Sequence, residues 1–281
     1  MLCAFVGTLM AAGLSAGSSN LVVNVPVANM YSHPRASSDV VSQAIYGANI
    51  QSLNRRGGWV HVRTVDGYSG WITGSSALRK PLFARAGAFV QVESLFANLY
   101  QEADVTKHKP LLTLPFEARL EVLVDRQEEP RWLQVRLVNG RKAWVQRGDV
   151  SSDLASRPLA GILAFSHRFI GLPYLWGGTS TFGYDCSGFT QMLYRRHGVV
   201  LPRDAGEQAA WPGMTAVTKD KLQPGDLLYF GDAPARISHT GMYLGNGEFI
   251  DATPWQHPVV QIDRLDDPHW APLFIAARRL P

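Results

Sequence analysis

Cysteine is nearly absent from this chain: of 281 residues only Cys3 and Cys186 carry a thiol. So few and so far apart, they form no disulfide framework, and stability must come from packed cores. Charge is sparse as well. Asp, Glu, Lys and Arg make up 18% and the formal net charge is +4. No run of five or six Lys or Arg occurs, which sets nucleic acid aside as a partner. A mild attraction to anionic polymers fits this balance. Beyond the first 17 residues no apolar run approaches the ~18 needed to cross a bilayer, so no integral membrane segment is expected. His167, His197 and His269 show no ligand spacing with other His, Cys or acids, and His33, His61 and His108 are scattered. Neither a metal nor another cofactor is therefore expected.

Residues 1–17, MLCAFVGTLMAAGLSAG, contain no charged side chain and are rich in Leu, Ala and Gly. They resemble the apolar stretch of a secretory signal with a cut after Ala16 or Gly17, although the basic start of such a signal is missing. A signal over residues 1–19 predicts export to the periplasm or cell envelope. The rest is globular in composition, 46% hydrophobic, and long enough for two or three domains.

Residues 20–80 and 88–152 are self-similar, with 81–87 as linker. ANMYSHP, YGANIQSL and GGWVHVRTVDGYSGWI in the first answer to ANLYQEA, PFEARLEVL and PRWLQVRLVNGRKAWV in the second. WVHVR and WLQVR alternate with period two, as half-buried strands do, and Asp66-Gly67 and Asn139-Gly140 mark hairpin turns. Each copy is predicted to be a small all-β barrel of about five strands, with Trp71 and Trp144 in its core.

From residue 153 to 281 the texture changes. A helix is predicted around LAGILAFSHRF, stopped by Gly171, and a second from about Cys186 to Gly198, with Phe189, Met192 and Leu193 as its apolar stripe. DLLYF, ISHTGMYL, GEFIDAT, VVQIDRL and FIAARRL then read as strands. Helices followed by hairpin-linked strands predict an α+β domain with an antiparallel sheet.

GYDCSGF places Cys186 at a helix start, where unpaired backbone N–H groups and the positive dipole end favour a thiolate. A thiolate enzyme needs a base and an orienter of that base. His239 and Asp251 supply the types. Their numbers sum to an even value, so on paired antiparallel strands they share a face. A three-residue loop Gly245-Asn246-Gly247 is predicted to set that register, whereas a two-residue Asn-Gly turn would put them on opposite faces. His257 is a second candidate orienter. Arg203-Asp204 reads as a structural ion pair or a helix-start cap.

YLWGGTSTFGYDCSGF, VLPRDAGEQ, LQPGDLLYF and SHTGMYLGNGEFIDAT, in that order, resemble the NlpC/p60 family of papain-like cysteine peptidases. The two upstream copies, with their W-x-x-V and G-W-I/V patterns, resemble bacterial SH3-like (SH3b) domains. The combination is similar to γ-D-glutamyl-L-diamino acid endopeptidases, which cut peptidoglycan stem peptides between D-Glu and diaminopimelate or Lys. The resemblance implies a nucleophile at Cys186, a base at His239, an orienter at Asp251 and an oxyanion contact from Tyr174. It implies substrate contacts from Trp176, Asp185 and Ser187, with Asp185 holding a free L-Ala amine, and from Asp66 and Tyr68 reaching over the cleft. The family usually carries His, Asn or Gln where this chain has Asp251. Peptidoglycan or free murein peptides are the implied partners, and a monomer the implied state. A non-catalytic wall-binding protein and an amidase or acyltransferase using the same Cys-His pair stand as alternatives.

Overall fold

The computed structural model describes residues 20–85, 87–125 and 130–280. The predicted signal segment and Cys3 lie outside them. Seven short strands open the described chain: β1 (Asn20–Val23), β2 (Val27–Tyr31), β3 (Val40–Ile45), β4 (Asn49–Arg56), β5 (Trp59–Arg63), β6 (Ser69–Thr73) and β7 (Ala77–Arg79). They pair antiparallel in the order β3-β2-β6-β5-β4-β1-β7. Seven more follow: β8 (Phe89–Val92), β9 (Phe96–Tyr100), β10 (Leu112–Pro115), β11 (Arg119–Val124), β12 (Trp132–Arg136), β13 (Lys142–Gln146) and β14 (Val150–Ser151). Their order, β10-β9-β13-β12-β11-β8-β14, repeats the first strand for strand. The register repeats too: Trp71 lies opposite His61 and Tyr31, and Trp144 opposite Gln134 and Tyr100.

Each copy thus has seven strands rather than about five, because the chain ends of each unit also pair. The core assignment of Trp71 and Trp144 is corrected as well. Period-two alternation turns Val60, Val62 and Ile72 inward in one copy and Leu133, Val135 and Val145 inward in the other. The tryptophans have the opposite parity and stand half-buried on the outer face, Trp71 stacked on His61 with ring centroids 4.9 Å apart.

The remaining chain forms α1 (Leu159–Ser166), the short pair β15 (Thr179–Ser180) and β16 (Gly183–Tyr184), α2 (Cys186–Arg196) and α3 (Ala205–Ala210). A six-stranded antiparallel sheet completes it: β17 (Thr215–Val217), β18 (Leu227–Ala233), β19 (Arg236–Gly245), β20 (Glu248–Thr253), β21 (Val259–Arg264) and β22 (Phe274–Arg279), ordered β17-β22-β18-β19-β20-β21. Both predicted helices and all five predicted strands are present. The start of α3, with Asp204 as its N-cap residue, is the helix-start reading of Arg203-Asp204, although the Asp204 side chain makes no cap hydrogen bond; β17 is an addition. Phe189, Met192 and Leu193 bury the apolar stripe of α2 against Leu227, Met242 and Ile250 on one face of the sheet. Leu228, Phe230, Phe249 and Trp270 form a second, smaller core on the other face. Gly198, at φ +95°, ends the turn after α2 in the left-handed region that glycine tolerates.

The last turn of α2 ties this part to the second sheet: Arg195 pairs with Glu117 at 2.6 Å and the buried Arg196 with Glu93 at 3.1 Å. The backbone N–H of Val138 donates to the Tyr46 hydroxyl at 2.7 Å, linking the two seven-stranded sheets.

Candidate active site

Asp185 caps α2. Its backbone is extended, and its Oδ1 accepts the N–H of Gly188 at 2.7 Å. Cys186 is therefore the first helical residue, with a backbone N–H among those a helix start leaves unpaired. Its thiol is free and largely covered, 7% exposed. Gly188 is required by crowding: a Cβ there would sit 2.2 Å from the carbonyl oxygen of Gly178. That close approach presses the 173–178 loop, which carries Tyr174 and Trp176, against the helix start.

The partner groups come from the β19–β20 hairpin. His239 donates from Nε2 to Asp251 Oδ2 at 2.5 Å, and the charge of Cys186 acts on the same imidazole. The predicted loop is corrected here, while the predicted register holds. The turn has two residues, Asn246 and Gly247, both at positive φ. An irregularity between Tyr243 and Gly245 leaves Leu244 unmatched, so Gly245 pairs Glu248 while Tyr243 pairs Phe249 and Met242 pairs Ile250. The bulge adds the residue that the short turn lacks and restores the even register. Gly241 then faces Asp251 with no room for a side chain, since a Cβ would meet Phe249 Cδ2 at 2.7 Å and Asp251 Cβ at 3.0 Å.

Burial shapes the electrostatics of this pair. Desolvation alone would push His239 down, but the Cys186 charge and the hydrogen bond to Asp251 outweigh it and carry the imidazole up to about 10. Asp251 is fully buried, and desolvation lifts its carboxyl to about 6 against the opposing pull of His239. Each charge of the pair offsets the other within a site that neither would enter alone. His257 is exposed on the loop after β20 and does not serve as the orienter. Trp270 lies stacked against His239, ring centroids 4.7 Å apart and planes 26° apart.

Tyr174 is half-buried beside the thiol. Burial first, then the charges of Cys186 and Asp185, push its hydroxyl well above the usual tyrosine range. Trp176 stands 68% exposed on the same loop. Ser187 is buried and accepts Arg203 Nη1 at 2.9 Å.

Asp185 is differently employed from the expectation that it holds a substrate amine. Arg203 forks onto it, Nη2 to Oδ2 at 2.6 Å and Nη1 to Oδ1 at 3.0 Å, and Gly177 N–H donates to Oδ2 at 3.0 Å. Nor does Arg203 pair with its neighbour Asp204. The guanidinium is 2% exposed and also donates to Ser42 Oγ of the first sheet at 3.1 Å. Asp66 is likewise occupied: Gln191 of α2 donates to its Oδ2 at 3.0 Å, and the Thr64 hydroxyl donates to Oδ1. Tyr68 projects across the cleft and donates to Asp204 Oδ2 at 3.3 Å. Burial, followed by the Asp204 charge, pushes Tyr68 up to about 12. Asp66, Tyr68, Arg203, Asp204, Glu207 and Trp211 are among the lining of a cleft of about 620 Å³ between the first sheet and α3.

Sequence reasoning missed the Arg203–Asp185 pair, the exposed acid Asp204 and the Trp270 stack. The partners are far apart in the chain and belong to different elements, so no local pattern encoded them. Among the described residues no group of three or more His, Cys, Asp or Glu is placed to hold a metal ion. No helix there is long and apolar enough to cross a membrane.

The NlpC/P60 family model matches residues 171–279, and the bacterial SH3 domain model matches residues 26–78. A γ-D-glutamyl-L-lysine dipeptidyl-peptidase of Bacillus cereus is 33% identical over 255 residues, 85% of this chain and 74% of that protein. Dipeptidyl-peptidase 6 of Lysinibacillus sphaericus is 26% identical over 267 residues, 91% of this chain and 94% of that protein. The crystal structure of an NlpC/P60 family protein from Bacillus cereus superposes with a TM-score of 0.82 at 28% identity, covering 94% of this chain and all of that one.

Proposed function

Because the chain belongs to the NlpC/P60 family, we propose that it is a cysteine peptidase that hydrolyses the γ-D-Glu–diamino acid bond of peptidoglycan stem peptides bearing a free N-terminal L-Ala. The observation that carries this reading is the grouping itself: a thiol at a helix start whose charge acts on His239, which is hydrogen-bonded to the buried Asp251. The relatives' named activity on γ-D-glutamyl-L-lysine supports the substrate class.

In the proposed reaction the Cys186 sulfur attacks the γ-carbonyl carbon of D-Glu. The C–N bond to the diamino acid breaks as His239 gives its proton to the departing amine, leaving a thioester on Cys186. His239 then takes a proton from water, whose oxygen attacks the thioester, and the thiol group is released with the dipeptide carboxylate. Asp251 holds Nε2–H and balances the imidazolium charge. The Cys186 backbone N–H and the Tyr174 hydroxyl are assigned to the oxyanion, where one such donor is worth roughly 2.7–4 kcal/mol.

Asp204 is assigned to the substrate's amino end, in place of Asp185. It is the exposed acid opposite Tyr68, whereas both oxygens of Asp185 are engaged by Arg203 and by backbone donors. Trp176 and Ser187 are assigned to the walls of the peptide site, and Asp66 to setting the reach of Tyr68. The second seven-stranded sheet is read as a second SH3-like barrel and the third part as a papain-like domain. A monomer suffices, since one chain supplies every group named.

Incubating L-Ala-γ-D-Glu-L-Lys, its diaminopimelate counterpart and their N-acetylated forms with the protein tests this reading. Release of L-Ala-γ-D-Glu from the free-amine peptides is expected, with a strong preference over the acetylated ones. Inertness toward all four, together with binding to intact wall, would favour the non-catalytic alternative. Turnover confined to other amides or esters would favour an amidase or acyltransferase.

A further inference from the structure

The face of His239 that Trp270 covers is not explained by the relay alone. The indole lies on the imidazole at 4.7 Å and 26°, whereas Phe230 approaches the same ring at 5.9 Å with a 49° tilt. Trp270 is itself fixed. Its Nε1–H donates to Asp263 Oδ2 at 3.0 Å, and Asp263 is in turn held by Gln261 Nε2 at 3.0 Å to each oxygen. His269 meets the indole edge-on at 4.6 Å and is clamped flat against Trp255 at 3.6 Å and 2°. A buried aromatic held on two sides, presenting its π face to a group that cycles through a cationic form, is built for more than filling space.

We propose that Trp270 is a positioning residue for His239. Its π face stabilises the imidazolium and fixes the ring plane, and Asp263 strengthens that face by accepting the indole N–H. This rests on the reading that His239 serves Cys186. An aromatic face attracts a cation through its quadrupole, most strongly for Trp and in desolvated places. An anion accepting the N–H draws electron density toward the ring and adds to that attraction. The stack also shields the His239–Asp251 hydrogen bond from water. The other charged or titratable groups near the imidazole are Cys186 from α2 and Asp251 from β20; behind the indole lie Asp263 of β21 and His269. Removing the π face leaves those in place and lowers the proton affinity of His239.

The experiment is the pH dependence of Cys186 alkylation by iodoacetamide in the full chain, with the limb belonging to His239 identified by His239→Ala. Trp270→Leu keeps the site apolar but removes the quadrupole. Its basic limb is expected about one pH unit lower, a tenfold loss of proton affinity of the size cation–π energies allow. Trp270→Phe, which retains a weaker face, and Asp263→Asn, which retains the stack, should each shift it the same way by less. A basic limb unmoved in Trp270→Leu, whatever the amplitude, overturns the proposal. Should that variant fail to fold by circular dichroism, unmoved limbs in both Trp270→Phe and Asp263→Asn overturn it. No peptide is involved, so a wrong substrate assignment leaves the result readable. A wild-type profile identical to that of His239→Ala would instead remove the Cys-His relay, and this inference with it.

Discussion

Asp251 is asked to do what a neutral side chain does in most of its relatives, as the sequence resemblance has it, and its burial makes that demanding. Its Oδ1 has no hydrogen-bond partner among the described residues, so His239 alone meets its charge. Asp251→Asn should keep the geometry but weaken the hold on the imidazolium, lowering kcat roughly 10²- to 10⁴-fold with a much smaller change in KM, read by steady-state kinetics. The raised pKa of His239 also has a consequence for stability. The folded state binds the proton more tightly than the unfolded chain, so that contribution is fully present below about 6.5 and is lost as pH rises toward about 10. The melting temperature of the native protein should therefore fall more steeply between pH 7 and 10 than that of His239→Asn, measured by scanning calorimetry. Equal slopes would contradict the raised value. The three residues of the proposed relay stood out in sequence because each is of a reactive type beside a local marker, a helix start or a hairpin turn. Asp204 was not, because beside Arg203 it looked like half of an ion pair.

At the scale of elements, the start of α2 and the β19–β20 hairpin carry the residues of the proposed relay. Asp185 supplies the cap and neutralises the buried Arg203 in one carboxylate. Asp185→Ala leaves that guanidinium uncompensated and is expected to cost about 3–5 kcal/mol in urea unfolding, well above the ~1 kcal/mol of a lost cap alone. On the hairpin, Gly241→Ala forces a methyl against Phe249 and Asp251. It should cost about 1–3 kcal/mol and also reduce kcat by parting His239 from Asp251, seen by unfolding and kinetics on the same preparation. The face shared by His239 and Asp251 could be read from parity, since alternation along a strand is strict. The way the chain achieves it could not. A bulge at Leu244 is selected by tertiary packing, and only the neighbouring Gly245, at φ +108°, hints at it locally. The same limit explains Trp71 and Trp144. The hydrophobic alternation was visible, but large aromatics were given to the core when valines of the other parity fill it.

Across the whole molecule, the first sheet is part of the cleft wall. Gln43 Oε1 accepts Thr179 N–H at 3.0 Å, Ser42 accepts from Arg203, and the Asp66–Tyr68 turn closes over α2 and Asp204. The reach of Asp66 and Tyr68 over the cleft was implied by the resemblance of DGYSGW. Their partners Gln191 and Asp204 and the Gln43 and Ser42 contacts were not legible, because each joins residues more than a hundred positions apart. Asp66→Ala should free the turn from Gln191 and raise KM for the free-amine tripeptide several-fold with kcat little changed, while discrimination against the N-acetylated peptide weakens. In the proposed reaction this assembly acylates Cys186 with the dipeptide of a free-amine substrate. Its most direct test is mass spectrometry of the protein mixed with L-Ala-γ-D-Glu-L-Lys and quenched in acid within a turnover. An L-Ala-γ-D-Glu adduct is expected on the peptide containing Cys186, lost on longer incubation as free dipeptide appears and absent from Cys186→Ala. Dipeptide released by Cys186→Ala at the native rate, with no adduct on the native protein, would contradict it.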